Sequence, residues 1–247
     1  MFELSVIQWG VVLTCAMFIG FTKTGISSLG ILVVTALMLI FPAKESVGIL
    51  LPLLIIGDIF AVVYYRRSVV WKYLFSLVPW VLIGIIAGYF VLDEVSSEQL
   101  KPMIGILVLA LIVLQISREK FGESFNQALP KAMWFTIAMG GLAGFATMIG
   151  NAAGGVMAIY LLVKELPKKE FVGTGAWFFL FVNVIKVPFY VQLDLITFDS
   201  LAFNVWLVPS IVIGAVIGIK LLPKIPQKTF HVLILTFTAL GAIRLLF

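Results

Sequence analysis

The chain has 247 residues, 62% of them hydrophobic and 12% charged, and a mean hydropathy of +1.16. Soluble domains average roughly 45–50% apolar and about 25% charged residues, so a water-soluble globular protein is excluded and bilayer is the solvent that fits. The formal charge is +5, from 17 basic and 12 acidic residues. In a soluble chain that balance would point to nucleic acid. Here the basic residues lie in short loops between apolar runs, so membrane lipid is an expected partner and nucleic acid is not.

Ten apolar segments follow in chain order, at roughly 5–21, 29–41, 46–65, 73–92, 100–117, 132–149, 152–163, 171–191, 201–222 and 229–247. Most approach the ~20 residues needed to cross about 30 Å of hydrocarbon. The expected fold is therefore an all-α polytopic membrane protein, a single integral membrane domain over 1–247. The second and seventh segments run to only about a dozen residues, and each follows a Gly-rich break. They are short interrupted helices, re-entrant or spanning. The longest polar stretch marks a linker at 118–130 between halves 1–117 and 131–247. Before the first segment there is no basic n-region, so no cleaved signal peptide is expected. The lone Cys15 cannot form an intrachain disulfide, and without a Cys/His cluster no metal site is expected. A phosphate-binding loop is also missing from the sequence, as is any nucleophile–base constellation; neither a cofactor nor an enzymatic activity is expected.

The two halves resemble each other. The block Pro42-Ala43-Lys44-Glu45-Ser46-Val47-Gly48 matches Pro167-Lys168-Lys169-Glu170-Phe171-Val172-Gly173 at an offset of 125. Gly20-Phe21 matches Gly144-Phe145 at 124, and Pro79, Ile83, Gly84 and Gly88 match Pro209, Ile213, Gly214 and Gly218 at 130. Five segments per half is an odd number, so the second repeat is expected to be inverted in the membrane. Numbering the loops alternately places Lys23, Arg66, Arg67, Lys72, Arg118, Lys120, Lys131, Lys164, Lys168, Lys169, Lys220, Lys224 and Lys228 on one side. Only Lys44 and Lys101 fall on the other. Basic loops stay cytoplasmic, which puts both termini outside a multi-pass protein of the cell (inner) membrane.

Inverted repeats with interrupted helices are the sequence signature of a secondary transporter whose site lies at the breaks. The first break carries Lys23, Thr24, Gly25, Ser27 and Ser28; the second carries Gly150 and Asn151. Ser27 or Ser28 would N-cap the first short helix and Asn151 the second. The two helix N-termini would then offer N–H groups to an anion. The plainer reading makes these breaks interhelical turns and Lys23 a topology charge. Asp58 and Asn183 occupy matching positions at an offset of 125. An ionisable group at that depth is costly and marks a functional site by default; the alternative for Asp58 is a structural partner of a nearby hydroxyl or lysine. Lys186 lies one turn beyond Asn183, and either joins the site, pairs with Asp58 or snorkels outward. Trp177 lies in the half-buried start of the eighth segment. His231, a lone histidine, is more simply incidental.

These residues resemble the sulfite exporter family TauE/SafE, also called the 4-toluene sulfonate uptake permease family, along nearly the whole chain. The resemblance rests on Gly20-Phe21-Thr22-Lys23-Thr24-Gly25, on Lys44-Glu45 with Val47-Gly48, on Gly173-Thr174 with Ala176-Trp177, and on Asn183-Val184-Ile185-Lys186-Val187-Pro188-Phe189-Tyr190. Many members have consecutive glycines where this chain has Ser27-Ser28-Leu29-Gly30. The resemblance implies a permease for sulfite, a sulfonate or a related organic anion, with Lys23, Asn183 and Lys186 as substrate-site residues. The residues themselves imply a secondary carrier of a small anion working by alternating access, with Asp58 as a coupling group. A carrier of another small metabolite or ion, or a membrane scaffold, is the competing class. The sequence leaves substrate, direction and homo-oligomerisation open.

Overall fold

The computed structural model describes residues 4–23, 29–65, 67–128, 133–221, 236 and 239–246. The elements within them are all α-helices: α1 (Val6–Thr22), α2 (Leu29–Met38), α3 (Ala43–Tyr65), α4 (Trp71–Glu94), α5 (Ser97–Ala128), α6 (Met133–Gly150), α7 (Gly154–Val163), α8 (Lys168–Gln192) and α9 (Phe198–Leu221). They correspond one for one to the first nine expected segments. Most of the tenth segment, His231 included, lies outside the described residues. Five helices, α3, α4, α6, α8 and α9, are long and apolar enough to cross a bilayer. Large apolar side chains such as Val63, Phe75, Phe90 and Val205 stand exposed on the outside, as lipid-facing surfaces require. At 10 residues each, α2 and α7 extend only about 15 Å, too short to cross alone.

The polar stretch at 118–130 is helical as far as Ala128. Helix α5 runs on through Ala128 and is 32 residues long. Its rise of about 48 Å exceeds the hydrocarbon thickness. The residues beyond Ser117 include Glu119, Lys120, Glu123, Gln127 and Ala128, good helix formers, so the run is too polar for hydrocarbon yet suited to a helix.

Local sequence explains where several helices start. Ser5 and Gln8 form a reciprocal capping box at α1. Ser96 and Gln99 exchange the same two bonds before α5, and Thr197 and Ser200 do so at α9. Each satisfies backbone amides that a helix start leaves orphaned.

At one end of the bundle, the amide of Val70 donates to Thr174 Oγ1 at 2.9 Å and Lys164 lies over the Tyr73 ring at 5.6 Å. At the other end, Lys44 Nζ donates to the Asp93 carbonyl at 3.3 Å and Gly48 packs on Leu195. The loops carrying Arg67 and Lys164 therefore share an end, and the one carrying Lys44 lies opposite.

Contacts made by one half recur with the halves exchanged. Gly20 of α1 lies against the backbone of Ile211 and Ala215 in α9, and Gly144 of α6 lies against that of Val81 and Ile85 in α4. These pairs are related by the offsets 124 and 130. A side chain at either glycine would meet backbone oxygen, so the two helix pairs can approach this closely only because Cβ is missing. The crossing of α3 with α8 joins the two sets.

Candidate functional site

Asp58 and Asn183 each lie fifteen residues into their helices, at 58 in α3 from Ala43 and at 183 in α8 from Lys168. Their matched positions suggest similar depth on opposite sides of a central cavity, but the two side chains are in direct contact. Asn183 Nδ2 donates to Asp58 Oδ2 at 2.7 Å, and both residues are buried. Lys23 follows the last residue of α1, and its Nζ lies 2.5 Å from Asp58 Oδ1. This contact is an ion pair that compensates the charge at Oδ1. The Lys23 ammonium also sits over the Phe179 ring at 5.0 Å, a favourable cation–π contact. Asp58 is 0% exposed and Lys23 side chain 15%. A carboxylate removed from water to this degree is strongly disfavoured unless paired.

Lys186 neither snorkels outward nor pairs with Asp58. It is 0% exposed, and its ammonium donates to three oxygens of the second break: the Thr147 carbonyl at 2.9 Å, Thr147 Oγ1 at 3.0 Å and Asn151 Oδ1 at 2.5 Å. All three are formally neutral. Although Pro188 follows, α8 remains helical to Gln192, and the Tyr190 hydroxyl donates to the Met148 carbonyl at 2.7 Å, closing α8 onto the end of α6.

Asn151 does not N-cap α7. Ala153 holds the N-cap position and no side chain caps the helix. Asn151 instead adopts the left-handed conformation, with φ 53°. Its Nδ2 donates to the Val47 carbonyl at 3.2 Å, which turns Oδ1 toward Lys186. A full ammonium is a stronger partner for that oxygen than a backbone amide.

A cavity of about 100 Å³ opens against this cluster. Its polar lining is Lys23, Asp58, Asn183, Thr147 and Asn151, and Phe179 and Met157 are among its apolar walls. A larger groove of about 650 Å³ runs between α1, α3 and α9 and includes Arg67. Lys23 and Ala61 line both spaces.

The structure thus brings Lys23, Asp58, Asn183 and Asn151 to one cavity and places Lys186 directly behind its wall. Gly150 does not line the cavity; it packs on the Ile104 side chain of α5. Trp177 also stands away from it, with its ring against Trp71 and Phe181 and its buried Nε1 without a hydrogen-bond partner. Thr24, Gly25, Ser27 and Ser28 lie outside the described residues. Thr147, Phe179 and Tyr190 were not among the expected site residues. Thr147 carried a usable signal, since it matches Lys23 at the repeat offset of 124.

Several helices long and apolar enough to span a bilayer, enclosing charged-type and amide side chains next to a small cavity, define a multi-pass membrane protein. Residues 12–245 match the family model described as sulfite exporter TauE/SafE. The chain belongs to that family. No curated protein and no solved structure matches it.

Proposed function

We propose that this protein is a secondary carrier of a small sulfur-containing anion, sulfite or an organosulfonate, working by alternating access around the Lys23–Asp58–Asn183 cluster. The charge at the cavity carries the reading. Counted as ordinarily ionised, Lys23 and Lys186 bring two positive charges and Asp58 one negative. Lys23 and Asp58 cancel each other, which leaves the charge of Lys186 uncompensated beside the cavity. A buried excess positive charge favours an anion in that space. The volume of about 100 Å³ suits an anion of a few heavy atoms; cavities near 150 Å³ hold benzene.

In this reading Lys23, Asn151, Thr147 and Asn183 contact the anion, and Lys186 acts on it through Thr147 and Asn151. The groove that includes Arg67 is the route in from the cytoplasm. The halves are inverted repeats related by a two-fold axis in the membrane plane, with both termini outside the inner membrane. Support comes from the exchanged glycine contacts and the basic loops sharing one end. An inside-negative potential favours export by about 2.3 kcal/mol per charge per 100 mV, so no nucleotide is needed.

The test is a binding screen of the purified protein against sulfite, sulfate, thiosulfate, sulfoacetate and taurine. Saturable binding of sulfite or a sulfonate, weakened about tenfold or more in Lys23→Ala, is the expected result. Binding of none of them would remove the anion reading.

A further inference from the structure

The environment of Lys186 is unusual for a buried lysine. Among the described residues no carboxylate lies within ion-pair distance of it, and Asp58 is already engaged by Lys23 and Asn183. What surrounds its Nζ is a main-chain carbonyl, a hydroxyl and an amide oxygen at 2.5–3.0 Å. Thr147 belongs to the last turn of α6 (Met133–Gly150), where carbonyls carry the negative end of the helix dipole; its carbonyl accepts from the Asn151 amide at 3.0 Å and from Lys186 as well. The Asn151 amide is held in place from behind by the Val47 carbonyl. Neutral oxygens converging at the end of a broken helix are the donor set by which carriers with interrupted helices coordinate a free monovalent cation.

We propose that the oxygens of Thr147 and Asn151 form a monovalent-cation site whose occupant is the protein's own Lys186 ammonium. The lysine is then a tethered counter-cation. It supplies the positive charge that the cavity offers to its ligand, and the wild-type protein needs no sodium or potassium to do so. Removing the side chain leaves the oxygens turned inward with no cation, and a free ion takes the place. The geometry of the cage stands whether or not the ligand is a sulfur anion.

The experiment uses the full-length protein and two variants, Lys186→Ala and Lys186→Met, in chloride salts of sodium, lithium, potassium or choline at constant ionic strength. Thermal unfolding is followed first, without any anionic substrate. Wild type should unfold at the same temperature in all four salts. Lys186→Ala should be stabilised saturably by sodium or lithium relative to choline. Lys186→Met, whose side chain fills the space without charge, should respond less. If sulfite binds the wild type, Lys186→Ala should bind it at least tenfold more weakly in choline and regain most of that loss in sodium. A folded Lys186→Ala that is indifferent to all the cations overturns the proposal. So does a wild type whose stability rises specifically with sodium, because the cage would then not be its own. If the variants do not fold, the wild-type salt series still decides, by that second result. Absence of sulfite binding in the wild type counts against the anion reading and leaves the unfolding comparison intact.

Discussion

Replacing Lys23 by methionine keeps most of the side-chain volume and removes the charge that compensates Asp58. The carboxylate is 0% exposed; after the change only Asn183 would donate to it, at Oδ2, and Oδ1 would face the former lysine position with no aligned donor. Breaking a buried pair from one side typically costs about 3–5 kcal/mol, because the surviving charge is uncompensated. Asp58→Asn should cost less, about 1–3 kcal/mol, since Lys23 also lines the groove that includes Arg67 and keeps its place over Phe179. The double variant removes both charges and leaves an amide beside Asn183, so it should be no worse than the milder single change. The cycle therefore closes with a coupling energy of about 3 kcal/mol or more. Unfolding of the four proteins in micelles titrated with a denaturing detergent measures it. Single effects that add to within about 0.5 kcal/mol would mean the two residues do not interact, and the reading of the cluster as a compensated ion pair would be wrong.

Gly144→Val should separate α4 from α6 and cost about 1–3 kcal/mol or more through overpacking against Val81 and Ile85, whereas Gly141→Ala, with nothing nearby, should unfold like wild type in the same assay. Tyr190→Phe removes the donor to the Met148 carbonyl; leaving a buried acceptor unpaired should cost about 1–3 kcal/mol, read as a lower unfolding midpoint. Asp58→Asn should abolish the pH dependence of anion flux in proteoliposomes if Asp58 is the coupling group, and an unchanged pH profile would leave it a structural role.

Much of the fold was legible because hydropathy alone locates apolar runs, and the bilayer forces each to be a helix. Nine of the ten segments reappear as α1–α9, within a few residues at every end but that of α5. The extension of α5 through Ala128 was not legible, since polarity marks departure from hydrocarbon and not the end of a helix. The matched offset of 125 singled out Asp58 and Asn183 as a pair, but not their direct contact, which depends on how closely α3 and α8 cross. The partner of Lys186 could not. Spacing placed it on the face of Asn183, but which oxygens would surround it depended on Asn151 adopting a left-handed conformation and being held by Val47, a residue 104 positions away. Trp177, a substrate-site candidate from its place in the half-buried start of the eighth segment, has its ring packed on Trp71 and Phe181, contacts that hydropathy does not reveal.

The most direct measurement is flux of radiolabelled sulfite into proteoliposomes under an imposed potential in choline salts, comparing wild type, Lys23→Ala, Lys186→Ala and a control, Lys72→Ala, exposed in the first turn of α4. Wild type and the control should accumulate sulfite when the interior is positive, and the two site variants should be slower by about tenfold or more: Lys23→Ala loses a hydrogen bond to a charged group, roughly 1.5–3 kcal/mol, and Lys186→Ala loses the positive charge beside the cavity. No flux from the wild type, or equal flux from all four folded proteins, would contradict an anion carrier whose site is the Lys23–Asp58–Asn183 cavity.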